Sequence, residues 1–96
     1  MSFEDLKNTL SIGATFTAGG GTYRVTDIGT RTIVAIRIDQ VTVGRARLES
    51  GSVATTGTEV LDGARAEAEG WFNGPPYAVT EVVFDEDSYE VIRPLP

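Results

Sequence analysis

Ninety-six residues are enough chain for one small domain, and 41% apolar with 23% charged side chains is a globular balance and not a disordered one. Eight basic residues against fourteen acidic ones give a net charge of −6, which argues against general binding to nucleic-acid phosphates. The lack of cysteine and histidine excludes disulfides, thiolate nucleophiles, Cys/His zinc sites and imidazole bases together, leaving a small β-rich binding module as the expectation.

The start of the chain, Met1-Ser2-Phe3-Glu4-Asp5, is acidic and leads into no apolar core, so it does not read as a secretory signal. No apolar run approaches the ~20 residues that a membrane-spanning helix needs. A cytoplasmic protein with no membrane partner is expected. Ser2 followed by Asp5 resembles a capping box, and Phe3, Leu6 and Leu10 share one helical face. The spacing predicts a short helix over 3–11 that lids a sheet and stops near Gly13.

From Ala14 the period changes to that of strands. Thr15 to Thr17 and Thr22 to Asp27 predict a hairpin around Ala18-Gly19-Gly20-Gly21. A phosphate-cradling loop is the alternative for three glycines, but no Gly-Lys-Ser/Thr follows and the next element reads as a strand. After a turn at 27–30, Thr32 to Ile38 has a continuous apolar centre and predicts a strand covered on both faces. Val41 and Val43 open another strand, with a bulge expected at Gly44 because Ala46 and Leu48 fall in the opposite parity. Residues 50–58 are small and polar, and read as a flexible loop or as the tip of an extended hairpin.

Asp62 is a candidate cap for a short helix over 63–69 that ends at Gly70. Asn73-Gly74-Pro75-Pro76 marks a turn after Trp71-Phe72. Tyr77 to Phe84 and Tyr89 to Ile92 read as the last two strands, joined at Asp85-Glu86-Asp87-Ser88, with Pro94 and Pro96 discouraging further pairing. The expected fold is mainly β: a single domain over 1–96, built as a small antiparallel barrel or strongly curved sheet with a short N-terminal helix. An open antiparallel sheet packed by one or two helices is the alternative.

Few side chains here suit catalysis. Paired carboxylates need a substrate cleft, and Lys7, the only lysine, falls beside the polar face of its helix, where solvent exposure is expected. Asp85, Glu86, Asp87 and Glu90 lack the alternating oxygen pattern of a calcium loop and read as a solvated acidic turn. Tyr23, Tyr77 and Tyr89 fit half-buried strand positions. No enzyme, cofactor or metal is expected.

Charge is distributed unevenly. Residues 1–48 carry six basic and four acidic side chains, and residues 49–96 carry two basic and ten acidic ones. Arg24, Arg37, Arg45 and Arg47 either form a stripe that grips an anionic partner or pair with the acidic half, and pairing is the favoured reading. The acidic half serves solubility, or it competes with nucleic acid for a basic groove on another protein, with aromatic anchors near the Asn73-Gly74 turn.

Two stretches are similar to segments of a family of short uncharacterised bacterial proteins of unknown function. One runs from Tyr23 through Thr26-Asp27-Ile28-Gly29-Thr30-Arg31 to Ile36. The other runs from Trp71-Phe72-Asn73-Gly74-Pro75-Pro76-Tyr77 through Val79 to Val83-Phe84-Asp85-Glu86. The resemblance implies a bacterial or mobile-element origin and carries no activity. In size, acidity and lack of catalytic groups the chain also resembles phage-encoded anti-defence proteins, anti-CRISPRs included.

The functional expectation is therefore a non-enzymatic inhibitor that occludes a basic, nucleic-acid-handling surface of a protein partner. Glu81, Asp85, Glu86, Asp87 and Glu90 would lead that contact, with Trp71 and Tyr77 as aromatic anchors. A small-ligand module binding near Trp71 and Tyr77 is the alternative, and a self-associating subunit is a third reading.

Overall fold

The first helix begins as its sequence requires. In the computed structural model, which describes residues 2–49 and 52–95 and the side chains of these except 44–49, 52–56 and 58, Ser2 caps helix α1 (Phe3–Thr9). The Ser2 hydroxyl accepts from the Asp5 amide, and the Asp5 carboxylate accepts from the Ser2 amide, closing the capping box. The helix is two residues shorter than its apolar spacing suggests, because Leu10 leaves helical geometry while remaining buried.

Strands β1 (Thr15–Ala18) and β2 (Gly21–Ile28) form the expected hairpin. Its two connecting residues, Gly19 and Gly20, have φ of +55° and +86°, the left-handed pair that a tight hairpin turn demands. Strand β3 (Thr32–Arg37) pairs with β2 across a bulge at Thr26, and β6 (Glu81–Asp85) pairs with β3's other side. A short 3₁₀ turn (Tyr89–Val91) leads into β7 (Arg93–Pro94), which pairs with β1. The sheet order is β6-β3-β2-β1-β7, antiparallel throughout.

That sheet stays open. β6 and β7 are its two edges and do not pair with each other, so the strands close no barrel. The strands between them are four, eight and six residues long, and α1 supplies the cover that a second wall of a barrel would have given. One face carries Phe16, Ala18, Val25, Ile33, Ala35 and Phe84 beneath Leu6, Leu10 and Ile92. Phe16 stacks on Tyr23 at 5.5 Å, and Phe84 stands edge-on to both rings.

The remaining strands, β4 (Gln40–Glu49) and β5 (Ser52–Asp62), form a separate two-stranded sheet. Residues 52–58 are thus strand, so the extended-hairpin reading of 50–58 describes them and the loop reading does not; residues 50–51 lie outside the described residues. The bulge expected at Gly44 lies elsewhere. Gly44 pairs regularly with Thr58, and the register shifts between Arg45/Gly57 and Ala46/Thr55, so the inserted residue is Thr56 on the opposite strand. Gly57, at φ +140°, supplies the backbone freedom there.

Asp62 caps α2 (Gly63–Ala68) by accepting from the Arg65 amide at 2.8 Å, and Gly70 follows at φ +84°. This helix packs on the hairpin base. Val41, Leu61, Ala66 and Phe72 meet Ile36, which leaves β3 by the face opposite Ile33 and Ala35. The expected cover on both faces of β3 is met at Ile33 and Ala35 on one side and at Ile36 on the other, while Val34 stays half-buried beside exposed Val83.

Two terminal strands differ from expectation. Of the 77–84 stretch only 81–84 is strand, which runs on to Asp85; the backbone stays irregular from the Asn73-Gly74-Pro75-Pro76 turn to Thr80, where β3 offers no partner. Tyr89 to Val91 winds into the 3₁₀ turn, and the last strand is displaced to 93–94, where Pro94 pairs with Phe16. Pro96 lies outside the described residues. The molecule measures 54 × 24 × 24 Å with a radius of gyration of 15.8 Å, against the ~12–13 Å of a compact chain of this length. A hairpin with an eleven-residue strand, at ~3.3 Å per residue, accounts for the elongation.

Candidate functional site

Every described basic side chain is already engaged within the chain. Arg24 reaches Glu67 at 3.5 Å, Arg31 pairs with Glu86, and Arg65 holds both Glu59 and Glu69. Arg93 donates to the carbonyls of Glu90 and Ile92. Lys7 is not the exposed lysine its helical position suggests: its side chain is 15% exposed, and its Nζ donates to the Thr30 carbonyl at 2.6 Å beside Glu4. The Phe3 ring lies 5.6 Å beneath it.

Arg37 grips both oxygens of one carboxylate. Its Nε and one terminal nitrogen donate to the two oxygens of Asp39 at 2.7 and 3.0 Å, while the Thr22 amide donates to the same carboxylate. Arg37, with the Thr22 amide adding to it, holds the Asp39 carboxyl down at about 2, from an ordinary 3.8. The arginine stripe does not form across this pair. Arg24 is opposite Ile36 and Arg37 is opposite Tyr23, so alternation sends the two guanidinium groups to opposite faces. The side chains of Arg45 and Arg47 lie outside the described residues.

With the described cations bound internally, the unbalanced charge is negative, and it gathers along β6. Glu81 and Asp85 lie on the sheet face away from α1, with Val83, 58% exposed, between them. The Glu81 carboxylate accepts from the Thr26 hydroxyl at 2.9 Å. Asp85 is turned into its own loop, accepting from the Asp87 amide, the Ser88 amide and the Ser88 hydroxyl. These donors, led by the Asp87 amide and then the Ser88 hydroxyl, hold its carboxyl below the ordinary carboxylate range. Glu86 faces Arg31, and the exposed Asp87 carboxylate has no partner among the described residues. No three potential metal-binding side chains cluster among the described residues.

The seven expected contact residues therefore fall into three places. Glu81, Asp85, Glu86 and Asp87 share the β6 edge and its turn. Glu90 lies around the corner, in a cleft with Leu6, Tyr89, Ile92, Arg93 and Pro94. Trp71 and Tyr77 belong with the hairpin-side core. The indole N–H of Trp71 donates to Glu69 at 3.3 Å, and the Tyr77 ring lies so close over Gly74 that a side chain there would collide with it.

Trp71 does line an open cleft of about 330 Å³, shared with Tyr23, Arg37, Gln40, Thr42 and residues 78–80 and 82; Tyr77 does not. The sequence reading missed Tyr23, Arg37 and Gln40 here. Their positions depend on the hairpin folding back beside β2 and β3, for which the chain carries no local signal. The Asp85-x-x-Ser88 spacing, by contrast, is a legible turn motif that marks Asp85 as a structural acid.

Fold and surface together define a small open-sheet α+β protein with a negatively charged edge strand. Set against known protein families, curated proteins and solved structures, the chain matches none. No helix among the described residues is long and apolar enough to cross a membrane.

Proposed function

We propose that this protein binds a basic surface on a protein partner and occludes it, as an anti-CRISPR-type blocker of a nucleic-acid-handling complex would. One observation carries the reading: the described cations are bound within the chain, while acidic side chains line the β6 edge and the turn after it. Such a surface steers toward a positive partner and competes for the sites that phosphates would take.

The structure decides which variants test this. Asp85 caps its turn, so reversing its charge would disturb the loop as well as the surface. Asp87→Lys together with Glu90→Lys alters exposed carboxylates that hold nothing in the described structure. Pull-down from bacterial lysate at low and moderate salt is expected to recover a basic nucleic-acid-handling protein with the parent chain, and to lose it with the double variant. Capture that is unchanged by the double variant and by salt would overturn the proposal.

A second reading rests on the Trp71 cleft, where aromatic rings and the unpaired edge of Arg37 converge as in a small-ligand pocket. Trp71, the only tryptophan, makes fluorescence a direct probe. Saturable quenching by one metabolite, abolished in Arg37→Met, would favour that reading over the first.

A further inference from the structure

The backbone of β6 narrows the kind of partner. In an antiparallel sheet the N–H and C=O of one residue point to the same neighbouring strand, and alternate residues point in opposite directions. The Gly29 amide donates to the Thr32 carbonyl at 2.9 Å, so Thr32 faces β2. Ile33 and Ala35 must then face β6, and the residues that they bond there are Phe84 and Val82. Glu81, Val83 and Asp85 consequently turn their backbone groups outward, away from the sheet.

Asp85 is not available. Its amide donates to the Ser88 hydroxyl at 2.9 Å, and its carbonyl accepts from the Ser88 amide at 3.2 Å. Glu81 and Val83 are left with outward amides and carbonyls that no described residue takes up. The free edge is thus two bonding residues long and blocked by Ser88 at one end.

The side chains set its charge. Glu81, Val83 and Asp85 project on one face as acid, apolar, acid. A second copy of this strand, paired antiparallel about Val83, would set Glu81 against Asp85 twice, and that repulsion disfavours self-pairing. A strand reading cation, apolar, cation at the same spacing meets opposite charge at both positions and an exposed valine at the centre.

Building on the acidic-surface reading, we propose that β6 is a docking edge for an extended basic segment with the pattern Lys/Arg-x-Val/Ile-x-Lys/Arg, which adds to the sheet as its sixth strand. Main-chain bonds to Glu81 and Val83 hold it, and cross-strand charge selects it. Ser88 fixes where the added ladder ends.

A synthetic peptide, Gly-Lys-Thr-Val-Thr-Lys-Gly, tests the proposal by ¹⁵N-resolved titration of the intact chain. The expected result is saturable shifts centred on the Val83 and Glu81 amides, with slowed exchange of the Val83 amide. Both effects should be lost with a peptide N-methylated at the residues facing β6, and weakened at least tenfold in Glu81→Lys. If the N-methylated peptide binds as well as the parent, strand addition is overturned while the acidic-surface reading survives. If the basic peptide at millimolar concentration shifts nothing between 81 and 90, both fail.

Discussion

The α1 side and the hairpin side of this molecule are both apolar clusters, yet they are assembled by different means. Among the described residues the first gathers nine buried side chains from α1, four strands and the 3₁₀ turn's end, around Phe16 and Phe84. The second has five, drawn from β3, the hairpin base, α2 and the segment after it. Half-covered apolar side chains rim both, six around the first and five around the second, so the second has as many rim residues as buried ones. Burial scales with the number of independent elements that can be folded over a face. A sheet lidded by a helix closes more completely than a hairpin braced by one six-residue helix. Strand β3 is the shared wall between them, with Ile33 and Ala35 in the first cluster and Ile36 in the second.

The largest test of that difference is paired truncation. Phe16→Ala should cost about 3–5 kcal/mol, much of the ~5–15 kcal/mol that holds a domain together, and should leave the chain largely unfolded near physiological temperature. Phe72→Ala should cost less, and amide exchange should accelerate at Val41, Leu61 and Ala66 while the β1–β3 amides stay protected. Equal losses of protection on both sides would show that the two clusters unfold as one unit.

A smaller effect is expected at the joint where α2 leaves the hairpin. A Cβ at Gly63 would overlap the Ile38 carbonyl and crowd the backbone of Asp39. Gly63→Ala should therefore destabilise by about 1–3 kcal/mol through overpacking against rigid backbone, read as a melting temperature lower by roughly 5–15 °C. A gain in stability, as a plain glycine-to-alanine helix substitution gives, would mean that the joint is looser than the geometry indicates.

The smallest effect concerns the charge pair beside that joint. Asp39 has a depressed carboxyl in the folded chain, about 2 against an ordinary 3.8, so its contribution is fully present above pH ~4 and is lost as pH falls toward 2. Because both side chains remain about a third exposed, the contribution is about 1 kcal/mol. Asp39→Asn should lower stability by that amount at pH 7 and converge with the parent near pH 2. Parallel stability curves across that range would remove Asp39 from the account.

Local features were legible wherever a few neighbouring residues suffice. Ser2 and Asp5 announce the α1 cap, Gly19-Gly20 the tight turn, Asp62 and Gly70 the limits of α2, and the apolar run of β3 its double cover. The misreadings share one cause. Tyr77–Thr80 and Tyr89–Val91 contain residues that suit strands, but a strand needs a neighbour, and the sheet offers pairing only to 81–85 and 93–94. The parity break between Val43 and Ala46 suggests an extra residue on β4, but β4 pairs without one, and only the register reveals that the extra residue is Thr56 on β5. Lys7 reads as exposed on its own helix, and it is the loop carbonyl of Thr30 that captures it.

The candidate surface divides in the same way. Sequence alone determined the sign and location of the charge, because ten of the fourteen acids lie in residues 49–96 whatever the fold. It also determined the capped acidic turn, since Asp85 and Ser88 bond across three residues. Only the tertiary structure decided that β6 is an edge, that Arg24 and Arg37 part to opposite faces, and that Trp71 shares a cleft with Tyr23 and Arg37 while Tyr77 does not. Capping and turn energies act within one turn of chain and are written in neighbouring residues. Edge and face are relations between strands distant in sequence, and they exist only once the sheet has chosen its order.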